Sequence, residues 1–135
     1  MLKMLDEVAY ACASKYCGRY AVTLSVDQVM FRNAVLVGEL VTFLACVNYT
    51  GNTSMEIGVK VIAEDVHKRV VRHAITCYFT MVAMDEEGQP TPVLKLNLET
   101  EEQKHRSLAA EMRRKLRFEV DQKLQSIKGE NLNLT

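Results

Sequence analysis

The hydrophobic period of this chain changes at Gly18 from helical to alternating, and that change limits what the chain can become. Before Gly18 apolar residues recur with a helical period. Leu2, Leu5, Val8, Ala9, Cys12, Ala13 and Tyr16 cover most of a wheel on which Lys3, Glu7, Tyr10 and Ser14 form one narrow polar stripe. Ala9, Ala11 and Ala13 leave room for close approach of neighbouring backbone, so this helix is expected to be mostly buried. Gly18 stands where a left-handed C-terminal residue belongs.

Beyond Gly18 the period is 2. Tyr20, Val22, Leu24 and Val26 alternate with Thr23, Ser25 and Asp27. In ELVTFLACVNYT, Val41, Phe43, Ala45, Val47 and Tyr49 share a face; in TSMEIGVKVIAED, Met55, Ile57, Val59, Val61 and Ala63 oppose Ser54, Glu56, Gly58 and Lys60. VVRHAITCYFTMVAMD is apolar on both faces and is expected to be central. The connecting VGE, TGNT, EDVHKR and DEEGQP stretches are short enough for antiparallel neighbours. The pattern reads as α+β, an antiparallel sheet wrapped around one helix. Pro90 and Pro92 close the last strand. A second helix over 101–128 follows, with Thr100 and Gln103 forming a capping-box pattern and GENLNLT as a loose tail.

Composition narrows the function. At 135 residues, 48% hydrophobic and 25% charged, the chain has the profile of one globular domain. Seventeen basic against seventeen acidic residues argue against binding nucleic acid through a cationic surface. The cluster Lys104, His105, Arg106, Arg113, Arg114, Lys115 and Arg117 is interleaved with Glu101, Glu102 and Glu111. It reads as a solvated helix face, a few of whose members could reach a nucleotide phosphate. Cys12, Cys17, Cys46 and Cys77 form no CxxC pair and no metal-ligand spacing with His. They are expected to be structural thiols in a reducing compartment, with no metal bound. No signal-peptide core or membrane span is legible, which makes the cytoplasm the expected location. Phosphate loops, dinucleotide fingerprints and GxSxG elbows are absent from the sequence.

Asp6 is the strongest candidate for chemistry. It lies beside Leu2, Ala9 and Ala13, on the flank of the apolar surface. Partial desolvation there would favour the protonated form and make the carboxylate a stronger base. A rim carboxylate paired with Lys3 fits the same wheel, and periodicity does not choose between them. His73 shares a strand pattern with Val71, Ile75, Cys77 and Phe79, company in which a satisfied core histidine is commoner than a catalyst. Asn52, Thr53 and Ser54 form a polar turn into a strand, suited either to turn chemistry alone or to holding an anion or an amide-rich chain.

Read together, LDEVAYACASKYCG, VTLSVDQVMFRNAVLVGELVTFLACVNYTGNTSMEIGVKV and CYFTMVAMDEEGQPTPV resemble the hotdog-fold acyl-CoA thioesterases of the bacterial and brain-type acyl-CoA hydrolase group. The V-x-F strand end before a V-x-x-G-E turn, the G-x-T-S-M-E strand entry and the F-x-M-V-A-x-D-x-x-G-x-P exit occur in order. The resemblance covers about residues 1–95, and ETEEQKHR is similar to the start of an extension that many members carry. It implies a hotdog domain over 1–98, with a C-terminal helix and tail over 99–135.

The implied activity is hydrolysis of acyl-CoA to fatty acid and CoA, without a metal or redox cofactor. Asp6 would be general base or nucleophile, and Arg32, Asn33, Gly51, Thr53 and Ser54 would lie near the CoA groove. The implied assembly is a dimer formed sheet edge to sheet edge, with active sites at its interface, and a trimer of such dimers. Relatives place a strand, an asparagine-bearing loop and an H-G-G or F-G-G turn ahead of the helix. This sequence opens inside the helix, so the domain is expected to be N-terminally incomplete, missing an edge strand and part of its carbonyl-polarising machinery. Two rivals remain: a hydroxyacyl dehydratase built on His73, and a non-catalytic acyl-CoA-binding or scaffold domain.

Overall fold

The computed structural model describes residues 1–133, and the side chains of 1–129. The first helix, α1 (Leu2–Cys17), ends at Gly18, whose φ of 65° is left-handed and whose N–H is donated to the Ser14 carbonyl at 2.8 Å. Four strands follow, β1 (Tyr20–Phe31), β2 (Leu40–Thr50), β3 (Ser54–Asp65) and β4 (Val70–Met84), and then helix α2 (Glu101–Asn133). The strands form one antiparallel sheet in the order β1-β4-β3-β2, so β4 is central as its two apolar faces require. Helix α1 packs against all four strands. This is the α+β, hotdog arrangement of a sheet curved around a helix.

Local chemistry sets the turns. Asp65 Oδ1 accepts the N–H groups of His67 and Lys68, and Asp85 Oδ1 accepts those of Glu87 and Gln89. Both are short carboxylates mimicking a backbone turn. Residues Met1–Asn97 form one compact unit, and a second begins at Leu98. In the second, Thr100 Oγ1 accepts the Gln103 N–H and Gln103 Oε1 accepts the Thr100 N–H, each at 3.1 Å, closing the capping box at the start of α2. The loose tail expected from 129 onward is corrected in its first part, because α2 continues to Asn133. Residues 134 and 135 lie outside the described residues.

The core is narrower and differently faced than simple alternation suggests. Helix α1 buries the row Leu5, Ala9 and Ala13, while Leu2 and Met4 are exposed and so is Ala11. A sheet lying against one flank of a helix covers one row of residues, so the expectation of a mostly buried helix is corrected.

Four register shifts interrupt the ladders, and three of them reassign side chains that matter to the site or the core. One extra residue in a strand turns everything beyond it to the other face. In β1, Thr23 pairs with Met81 but Ser25 with Thr80, leaving Leu24 as the extra residue. The helix-facing residues before it are therefore Ala21 and Thr23, while Tyr20 and Leu24 are 62% and 67% exposed. In β2 the shift lies between Val47 and Tyr49, so Tyr49 pairs with Glu56 on the face away from α1, against the expectation that it joins Val47. In β4, Ile75 pairs with Val61 but His73 with Ile62, which takes His73 off the core face expected for it.

The β2 shift is filled by a buried polar contact. Asn48 is buried, and its Nδ2 donates to Glu56 Oε1 at 3.1 Å. A Cβ on Gly58 would stand 2.5 Å from Asn48 Nδ2, so glycine is what admits the amide. Gly58→Ala should destabilise the fold by about 1–3 kcal/mol, since overpacking outweighs the strand propensity gained. The reading is a lower urea midpoint at unchanged slope; an unchanged midpoint would mean that Asn48 moves aside freely.

Candidate active site

Asp6 projects from the second turn of α1 beside the first residues of β1. Its Oδ1 accepts the Thr23 hydroxyl at 2.8 Å. Thr23 Oγ1 also lies 3.2 Å from Met81 Sδ, but a hydroxyl has one proton and the carboxylate is the stronger acceptor. Thr23 reaches Asp6 because the shift at Leu24 leaves it on the helix side. Alternation placed it among the polar, outward residues and gave no sign of this partnership. The expected desolvation of Asp6 is corrected: the residue is exposed in the single chain, because β1 is an edge strand and covers it from one side only.

The 51–54 turn stands at the same end of the sheet. Gly51 N–H is donated to the Ser54 carbonyl at 2.8 Å, and the Thr53 carbonyl accepts the Ala83 N–H at 3.0 Å. Ser54 pairs with Val82 of β4, and Val82 pairs with Val22, next to Thr23. The turn is therefore two strand spacings, about 10 Å, from the strand that holds Asp6. The segment after β4 crosses beside it: Val93 N–H is donated to the Asn52 carbonyl, Leu96 N–H to Thr50 Oγ1, and the Tyr16 hydroxyl of α1 to the Leu94 carbonyl.

Arg32 and Asn33 sit toward the opposite end of β1. With Phe31, Ala34, Val35, Ile75 and Met1 they line an open groove of about 490 Å³ that reaches the start of α1. Asn33 Nδ2 donates to the His73 carbonyl at 2.8 Å, whereas the Arg32 side chain is exposed. One chain thus brings the 51–54 turn towards Asp6 and holds Arg32 and Asn33 at the far mouth. Sequence reasoning missed the pair behind them: Arg72 and Glu39 meet at 2.7 Å across 33 residues of chain. The Arg72 guanidinium holds the Glu39 carboxyl below the usual carboxylate range.

His73 Nε2 lies within hydrogen-bond distance of the Thr76 hydroxyl and the Ile75 carbonyl, away from Asp6. Among the described residues no group of His, Cys, Asp and Glu side chains could hold a metal ion, and no helix is long and apolar enough to cross a membrane.

A helix carried in an antiparallel sheet, with a carboxylate on its open flank, is the arrangement of a hotdog-fold enzyme domain. The family model of the thioesterase superfamily matches residues 1–70, and the chain belongs to that superfamily. Protein VdlD of Helicobacter pylori is 49% identical over 117 residues, which cover 87% of this chain and 67% of that protein. An acyl-CoA thioesterase solved as an apo-hexamer superposes with a TM-score of 0.86 at 33% identity, covering 89% of this chain and 77% of that one. An acyl-CoA hydrolase from Staphylococcus aureus, solved in complex with butyryl coenzyme A, coenzyme A and coenzyme A disulfide, superposes at 0.79 with 32% identity, covering 93% and 79%.

None of the four cysteines is disulfide-bonded. Burial pushes the Cys77 thiol up to about 11. Burial first, and then the neighbouring Cys46, raise Cys12. Only the thiolate reacts, and a thiol titrating near 11 is about 0.1% ionised at pH 8. Cys77 should therefore stay unmodified by an aromatic disulfide reagent at pH 8 in the native protein and react once the chain is unfolded. Peptide mapping of the labelled protein reads this directly.

Proposed function

We propose that the chain hydrolyses acyl-CoA thioesters to free acid and CoA, with Asp6 as the catalytic carboxylate. Asp6 takes a proton from water as the water oxygen bonds to the acyl carbonyl carbon. The tetrahedral adduct then collapses, the carbon–sulfur bond breaks, and the proton passes to the departing thiolate. Direct attack by Asp6, with an anhydride hydrolysed afterwards, gives the same products. Neither route calls on a metal or redox cofactor. The observation that carries the reading is the hydrogen bond from Thr23: it leaves the second carboxylate oxygen open and fixes the first, which a group that must meet a carbonyl at one angle requires.

The CoA portion is assigned to the 51–54 turn and to Arg32 and Asn33, and one chain holds these toward opposite ends of the sheet. A second protomer resolves that separation. Strand β1 is an edge and carries exposed Tyr20, Leu24 and Phe31, apolar surface that suits another chain. A dimer across this edge would cover the open side of Asp6 and build the site at the interface, with further association of dimers in threes. The hexameric state of a similar thioesterase supports this assembly. Four unpaired thiols suit a cytoplasmic setting.

A thiol-release assay over short- to long-chain acyl-CoAs tests the reading. Asp6→Asn should lower kcat by about 10²–10⁴, the usual worth of a general base, with CoA affinity and oligomeric state retained. Thr23→Val, which removes one hydrogen bond to a charged acceptor, should cost kcat roughly tenfold. CoA-ester binding without turnover in the unaltered chain would instead favour a binding or scaffold role. Loss of folding in Asp6→Asn would make the carboxylate structural.

A further inference from the structure

The loop over 32–39 is fastened to β4 by both backbone and side-chain hydrogen bonds. The register shift in β4 leaves Ala74 without a partner on β3, because Val61 pairs with Ile75 and Ile62 with His73. The Ala74 carbonyl instead accepts the N–H groups of Arg32 at 2.7 Å and Asn33 at 3.3 Å. Arg72 Nη2 closes the loop from the other side, donating to the Ala34 carbonyl at 3.0 Å and to Glu39 Oε1 at 2.7 Å. The same carboxylate oxygen accepts the Leu36 N–H at 2.6 Å. One guanidinium thus ties the first residues of the loop to its last.

The fastening has a cost. The Glu39 side chain is 5% exposed, and its Oε2 is buried without a hydrogen-bond partner among the described residues. An apolar pair would fill this place without leaving a carboxylate oxygen unmet, so stability alone does not account for the ion pair. What the pair does achieve is directional. It fixes the backbone from which Arg32 projects, and Arg32 is exposed at the rim of the groove, its side chain engaged by no other among the described residues. An exposed guanidinium on a rigid backbone is suited to a phosphate, since the ordering entropy is already spent before the ligand arrives.

We propose that Arg72 and Glu39 are positioning residues for the phosphate-bearing end of CoA: they lock the 32–39 loop so that Arg32 meets those phosphates without prior ordering. This rests on the reading of the chain as an acyl-CoA hydrolase with Arg32 at the CoA groove. The role is distinct from chemistry at Asp6, because the lock touches neither the thioester nor the helix carboxylate.

Acyl-CoA and acyl-pantetheine of the same chain length, the second lacking the nucleotide phosphates, separate the possibilities. Arg72→Met should raise KM for acyl-CoA about tenfold, the equivalent of one charge-assisted hydrogen bond, and leave kcat within about twofold. KM for acyl-pantetheine should be unchanged, and Arg72→Lys should recover part of the loss. Combined with Arg32→Ala, Arg72→Met should add nothing further, since both act through one contact. Equal losses on both substrates, a kcat loss without a KM change, or additive effects would each overturn the proposal. If the unaltered chain turns over no thioester, the hydrolase reading fails by itself. Calorimetric titration of CoA against pantetheine with the same variants then decides on the lock.

Discussion

Leu5, Ala9 and Ala13 set how closely α1 lies on the sheet, and the contact between Asp6 and β1 depends on that distance. The two alanines present only a methyl group to the strands, and they meet a sheet face that is itself built of small and flexible residues: Ala21, Met81 and Ala83 lie fully or almost fully buried among them. A bulkier residue at position 9 or 13 would lift the helix by the width of its side chain. Asp6 would then no longer reach Thr23 at 2.8 Å. Close packing here is therefore a condition for the candidate site as well as a source of stability.

The second constraint is that the strands do not keep step. Each extra residue in a ladder reverses the faces beyond it, and the chain uses this three times at places that matter. In β1 the reversal lets a threonine face the helix before the strand turns its hydroxyl-bearing Ser25 outward. In β2 it admits the Asn48 amide over Gly58. In β4 it frees the Ala74 carbonyl to hold a loop. Regular alternation throughout would turn Thr23 away from Asp6 and would pair Ala74 within the ladder, away from the 32–39 loop.

These reversals also mark the limit of what the sequence discloses. The end of α1, the start of α2, the strand positions, the central place of β4 and the capping box at Thr100 are legible because local rules govern them: a left-handed glycine, a period, a side chain within three residues of its acceptor. Faces are legible only while the period holds. Met55, Ile57, Val59, Val61 and Ala63 all face inward as expected, since β3 supplies no extra residue of its own. Thr23, Tyr49 and His73 take the faces that alternation does not predict for them, because whether a strand slips a residue is decided by its partner, 58 positions away in the case of Thr23 and Met81. Asp6 stood out by its place in an apolar helix and by resemblance. Arg72 and Glu39 carried no signal, as nothing local distinguishes an ion pair formed across the sheet from two solvated charges.

The same physics bears on why the candidate site is divided. A single curved sheet has two edges, and Asp6 hangs over one of them, at β1, while the 51–54 turn follows the strand at the other. In one chain the carboxylate has water on its open side, where a thioester carbonyl would have to compete with solvent for it. Covering that side with a residue from β1 itself would need a longer side chain than threonine and would block the approach of substrate. In the proposed dimer a second copy of the chain would cover it from across the edge of β1, leaving the approach of substrate to the seam between two surfaces. On that proposal the exposed flank of Asp6 would be where substrate enters, and the edge of β1 would serve assembly and chemistry together.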